Sequence, residues 1–154
     1  MISVLFVCTG NACRSPMAEA FLNHMAGHNG QQAEAFSAGL CPFGDAATRE
    51  TVAAAAEWDV DVSQHQPQPM TDELAQDADV ILAMTGMHAA IIETEFLPAR
   101  GKTFTLLEFI GESGDVPDPF NHPMHVYREC AEQLWQAVGD ALDRLPAITA
   151  SQVD

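Results

Sequence analysis

Cys8 and Arg14, six positions apart at the end of the apolar run Val4-Leu5-Phe6-Val7, are the pair in this chain best placed to do chemistry. Between them lie Thr9, Gly10, Asn11, Ala12 and Cys13; after them come Ser15 and Pro16, types that suit a helix N-cap and N1 position. A loop running from a strand into a helix N-terminus turns its backbone N–H groups inward, and the helix dipole adds partial positive charge there. A thiol at the base of such a loop loses its proton more readily, and the thiolate is the nucleophile. An arginine folded over the same cradle offers a planar, two-pronged donor to a tetrahedral oxyanion. Together these are the parts of phosphoryl transfer through a cysteinyl-phosphate, with Cys8 as nucleophile and residues 9–15 as phosphate binders. The glycine-rich nucleotide loops are excluded, because neither a Gly-Lys-Ser/Thr ending nor Gly-x-Gly-x-x-Gly occurs.

A strand and a helix must hold that loop, and the chain alternates strand and helix throughout, which predicts parallel βαβ units. Residues 2–7 are apolar on both faces and predict a central strand. Met17, Ala18, Phe21, Leu22, Met25 and Ala26 recur at helical spacing, giving a helix to about His28. Residues 33–38 read as a second strand, 46–57 as an alanine-rich helix, and 64–70, with two prolines, as a connector. A short helix from Thr71, a strand over 80–84, a helix over 86–96 and a strand over 103–106 follow. Tyr127, Cys130, Ala131, Leu134, Trp135, Val138, Leu142 and Leu145 mark an amphipathic closing helix. The reading is one α/β domain over residues 1–145 and a C-terminal tail over 146–154 that carries little pattern and frays.

Composition narrows the setting. The 154 residues hold 22 acids against six lysines and arginines, a net charge of −16, which repels nucleic acid and anionic membranes at long range. No apolar run approaches the ~20 residues needed to cross a bilayer, and the N-terminus lacks a secretory signal, so a cytoplasmic protein is expected. Cys8, Cys13, Cys41 and Cys130 form neither a zinc pattern nor a disulfide framework; Cys41 and Cys130 read as structural. His24 with His28, and His122 with His125, lack a third ligand at suitable spacing, so no metal is expected.

The departing group needs a proton. Residues 111–123, with two glycines, three prolines and no periodicity, read as a functional loop that offers Glu112, Asp115 and Asp118. Pattern alone does not choose among the three.

The run Cys8–Pro16 followed by Met17-Ala18-Glu19 closely resembles the active-site signature of the low-molecular-weight protein-tyrosine phosphatases. The resemblance continues at Ser37-Ala38-Gly39, at residues 78–84 and at Asp118-Pro119-Phe120, spanning nearly the whole chain. It implies a three-layer α/β sandwich with a four-stranded parallel sheet, and no cofactor. The catalytic residues it implies are Cys8, Arg14 and Asp118, with Asp118 selected as the acid by the Asp-Pro-aromatic triplet. Ser15 is expected to donate to the Cys8 sulfur and Asn11 to brace the loop. Family members use two cysteines such as Cys8 and Cys13 as a reversible cap against overoxidation. The expected partner is a phosphorylated protein, with a tyrosine kinase opposing the reaction.

Substrate choice rests on the pocket wall, expected from Ala12, Phe120 and residues 40–43. Tyrosine-specific relatives tend to carry a larger apolar residue at the position of Ala12, whereas protein-arginine phosphatases of the family carry threonine. This chain has neither, and Asn121 stands where some relatives have a second aromatic. Phosphotyrosine is favoured by its frequency in the family, and phosphoarginine is the alternative. Arsenate reductases share the loop but relay oxidation through two further cysteines after the third strand, and residues 84–96 contain none. A silent phosphate-binding module would have no need of Cys8, Arg14, Ser15 and Asp118 together.

Overall fold

In the computed structural model, residues 1–153 are described, with side chains through residue 146. Four parallel strands, β1 (Ile2–Cys8), β2 (Ala33–Gly39), β3 (Val80–Ala83) and β4 (Thr103–Thr105), form one sheet in the order β2-β1-β3-β4. Helices α1 (Arg14–Asn29), α2 (Arg49–Ala56), α3 (Asp72–Asp77), α4 (Gly86–Glu95), α5 (Leu106–Phe109) and α6 (Met124–Val153) surround it.

The period of two in β1 divides the core. Val4, Phe6 and Cys8 face one cluster, joined by α1, α2 and α6, whereas Leu5 and Val7 face the other, which includes Ala75 of α3 and Ile92 of α4. Residues on β3 alternate in the same way, with Val80 and Leu82 on the first face and Ile81 and Ala83 on the second. The result is the expected three-layer sandwich, with β1 in its interior. Phe21 of α1 packs edge-on against Trp135 of α6, their centroids 5.1 Å apart, while Trp58 stacks on Trp135 at 4.7 Å. These contacts fasten the helix that follows Cys8 and Arg14 to the closing helix.

Several boundaries differ from the sequence reading. α1 begins at Arg14 with Cys13 as N-cap, so Ser15 and Pro16 lie inside the first turn. The Ser15 hydroxyl is drawn off to the Cys8 sulfur and is not available as a cap. α2 starts at Arg49 because the Thr48 hydroxyl accepts from Thr51 N–H and fixes the cap there. A 3₁₀ turn over Leu97–Ala99 and the short α5 were not anticipated. Thr105 and Glu108 close a capping box on α5, ending β4 at Thr105. α6 runs past Leu145 through Pro146 to Val153, into the segment read as a tail; the side chains of 147–154, and any fraying there, lie outside the described residues. No helix among the described residues is long and apolar enough to cross a membrane.

Candidate active site

The Cys8–Arg14 loop leaves the carboxyl end of β1, the end at which open parallel sheets bind ligands. Its carbonyls are all spoken for from outside. Leu40 N–H bonds Cys8 O at 3.1 Å, Cys41 N–H bonds Thr9 O at 2.8 Å, and Phe43 N–H bonds Gly10 O at 2.9 Å. His65 Nε2 lies 2.7 Å from Asn11 O, Thr48 N–H bonds Ala12 O at 3.1 Å, and Met17 N–H bonds Cys13 O at 3.3 Å. By contrast, the amides of residues 9–13 donate to no acceptor among the described residues. A row of carbonyls held outward leaves a row of N–H donors for the concave side, which suits an anion.

Cys8 sits in this concavity with its sulfur 2.9 Å from Ser15 Oγ. Arg14 is only 4% exposed, yet its guanidinium is aimed: Nη1 donates to Val116 O at 3.0 Å, and Nη2 lies 3.5 Å from Asp118 Oδ2. Its Nε has no partner among the described residues, so a buried donor remains unspent.

Asn11 takes the left-handed conformation, φ 54°, and is fully buried. Its Nδ2 donates to Ser15 Oγ at 2.8 Å and to Ser37 Oγ at 3.0 Å, while Oδ1 accepts from Gln68 N–H at 2.9 Å. Ser37 in turn donates to Glu19, whose carboxyl is pushed up by burial. Gly39 must be glycine here, because a Cβ would sit 2.8 Å from Thr9 O. Asn11→Ala would take a donor from Ser15 and Ser37, leave the Gln68 amide without its acceptor and put alanine at positive φ. We expect a loss of about 3 kcal/mol, read by urea unfolding.

The segment after β4 reaches the loop from the β4 edge of the sheet, on the face that holds Cys8. Val116 N–H bonds Met84 O at 2.9 Å, and Asp115 Oδ1 accepts from Gly86 N–H at 2.9 Å, so Asp115 is tied to the start of α4. Asp118 is 49% exposed and lines the same cavity as Cys8. That cavity, about 230 Å³, is walled by Ala12, Cys13, Cys41, Phe43 and Phe120 around the loop. Phe43 and Phe120 meet edge-on at 5.1 Å and stand 56% and 37% exposed at its mouth.

The expected residues therefore converge: Cys8, Arg14, Asp118, Ala12 and Phe120 line one cavity, with Ser15 and Asn11 behind it. Cys130 is buried, as expected, and burial pushes its thiol up to about 12. Cys41 is a correction: it is exposed and lines the cavity mouth, because its N–H is tied to Thr9 O at the loop's edge. Cys13 lines the cavity too, with its sulfur 3.6 Å from Thr48 Oγ1 and 3.9 Å from Tyr127 OH, and burial raises its thiol. Sequence reasoning missed His65, Gln68 and His88. The first two lie in the segment read as a connector; its bonds to Gly39 and Asn11 make it the outer wall of the loop. The histidine pairs gather no further ligand: no group of three His, Cys, Asp or Glu suited to a metal occurs among the described residues.

A cysteine and an arginine in an amide-lined loop at the end of a parallel sheet define an α/β phosphatase. The chain belongs to the low molecular weight phosphotyrosine protein phosphatase family, whose model matches residues 3–150. It is an enzyme, a hydrolase of phosphoric monoesters. A protein-arginine-phosphatase of Bacillus subtilis (strain 168) is 41% identical over 136 residues, covering 86% of this chain and 89% of its own length. The solved low molecular weight protein tyrosine phosphatase of T. tengcongensis superposes with a TM-score of 0.91 at 38% identity, covering 94% of this chain and 100% of that one. A cysteine-to-serine mutant of the YwlE arginine phosphatase, solved with a phosphorylated active-site serine, superposes with a TM-score of 0.89 at 36% identity; the match covers 94% of this chain and 96% of that one.

Proposed function

We propose that this phosphatase hydrolyses phosphotyrosine in proteins through a cysteinyl-phosphate on Cys8. The observation that carries the reading is the loop's division, carbonyls bonded outward and amides 9–13 unspent, around the Cys8 sulfur. The thiolate attacks phosphorus in line while those amides and Arg14 hold the equatorial oxygens. Asp118 gives its proton to the departing phenolate oxygen. As carboxylate it then takes a proton from the water that displaces the sulfur and releases inorganic phosphate. Ser15, against the sulfur, stabilises the thiolate in both steps. The phosphorylated active serine in the YwlE variant supports a phosphoryl-enzyme on the corresponding residue here.

The aromatic mouth accommodates phosphotyrosine, with Phe43 and Phe120 beside the space an aryl ring would enter above Ala12. A second reading, phosphoarginine, is favoured by the 41% identity to a protein-arginine-phosphatase. A guanidinium plane stacks on the same rings. The kinase opposing the reaction modifies the same side chain. Four free cysteines support a cytoplasmic setting. Cys13 supplies the reversible cap: peroxide oxidises Cys8 to a sulfenic acid, and the Cys13 thiol displaces water to close a disulfide.

The test is catalytic efficiency on matched phosphotyrosyl and phosphoarginyl peptides, with Cys8→Ser as blank. Faster turnover of the phosphotyrosyl peptide is the expected result. Preference for phosphoarginine assigns the second reading, and turnover of neither removes protein phosphatase activity.

A further inference from the structure

Thr9 and His88 join the loop to α4, and neither side chain has a part in the mechanism above. Thr9 Oγ1 lies 2.8 Å from His88 Nε2. His88 is 6% exposed, its N–H is capped by Thr85 Oγ1 at 3.1 Å, and its Nδ1 has no partner among the described residues. Burial, and after it the Arg14 guanidinium, push the imidazole down to about 4 against Asp115 and Asp118, so the ring is neutral at physiological pH.

A neutral imidazole has one N–H to place. On Nδ1 it would be a buried donor facing no acceptor, and orphaned buried N–H groups are rarer than underused acceptors. On Nε2 it donates to Thr9 Oγ1. A hydroxyl that accepts from the ring turns its own proton away from it, and Thr9 is exposed and lines the cavity beside Cys8 and Arg14.

We infer that His88 is a positioning residue: it sets the Thr9 hydroxyl as a donor into the cavity, where it binds a phosphoryl oxygen in addition to the loop amides and Arg14. The inference rests on the phosphatase reading and deepens its account of phosphate recognition. A hydrogen bond to a charged acceptor is worth about a tenfold change in affinity or more.

The experiment is calorimetric titration of the full chain with inorganic phosphate, alongside KM and kcat for p-nitrophenyl phosphate. Thr9→Val, which keeps shape and removes the donor, should weaken phosphate about tenfold and raise KM more than it lowers kcat. His88→Leu should do the same, and the double variant should be no weaker than either single one. His88→Gln places an amide N–H near the position of Nε2 and should restore most of the affinity. Undiminished phosphate affinity in Thr9→Val, additive losses in the double variant, or a His88→Gln as weak as His88→Leu would each overturn the inference. If His88→Leu fails to fold, Thr9→Val and His88→Gln still decide it. A chain that binds phosphate but hydrolyses no ester would instead sink the phosphatase reading, and the Thr9→Val titration would still decide the contact.

Discussion

Cys8→Ser is expected to lower kcat on an aryl phosphate at least about 10⁴-fold while inorganic phosphate still binds within a few-fold of the original affinity. The two halves of that result have separate physical sources. Bond formation to phosphorus needs an ionised nucleophile, and an alcohol is a far weaker acid than a thiol; an alkoxide is also a far poorer leaving group than a thiolate when water must displace it. Binding depends instead on the amides of residues 9–13 and on Arg14, none of which is altered. Serine also fits where the cysteine stands, 2.9 Å from Ser15 Oγ, so the loop has no reason to rearrange. Kinetic assay and phosphate titration of one preparation check both halves. Turnover above about a hundredth of the original would mean that another group attacks phosphorus. Cys13 and Cys41 line the same cavity, but burial raises the Cys13 thiol and keeps it protonated, and Cys41 sits out at the mouth.

The parts of this site legible in the sequence are those whose chemistry is local. The Cys8–Arg14 spacing, the apolar strand before it and the helical periodicity after it are read within thirty residues, and the sheet, its central β1 and the amphipathic face of α6 follow from periodicity. The convergence of Asp118 on Arg14 spans the chain, and only the family resemblance supplied it. The outer wall of the loop was not readable. His65 and Gln68 stand in a proline-containing stretch with no regular period, and the bonds they make to Asn11 depend on where tertiary packing lays that stretch against β2. Cys41 was misjudged for a similar reason: nothing in its neighbourhood says which side of the Thr9 edge its thiol would take. The α5 capping box, by contrast, was present as Thr105-x-x-Glu108 and could have been found.

Asp118→Asn should separate the two proton-transfer steps. The carboxyl is placed for leaving-group protonation by two ties, Oδ2 3.5 Å from Arg14 Nη2 and Oδ1 accepting Phe120 N–H at 3.1 Å, while the side chain stays half exposed and lines the cavity. Asparagine keeps the Phe120 bond and the size, and removes the proton. For phenyl phosphate, whose leaving oxygen is strongly basic, phenol release in a single turnover should slow by about 10³-fold. For 2,4-dinitrophenyl phosphate, whose phenolate leaves unaided, the first-turnover loss should be under about tenfold, since general-acid assistance is worth less the weaker the base. Hydrolysis of the cysteinyl-phosphate does not involve the leaving group, so the rate of that second step should fall alike for both esters while the first-turnover rates diverge. Phosphate affinity should hold, because the amides of residues 9–13 and Arg14, which bind the anion, are unchanged. Asp115→Asn should show no such dependence on the leaving group, because that carboxylate is spent on the Gly86 amide at the start of α4. A first-turnover loss equal for both esters would assign the proton to another group.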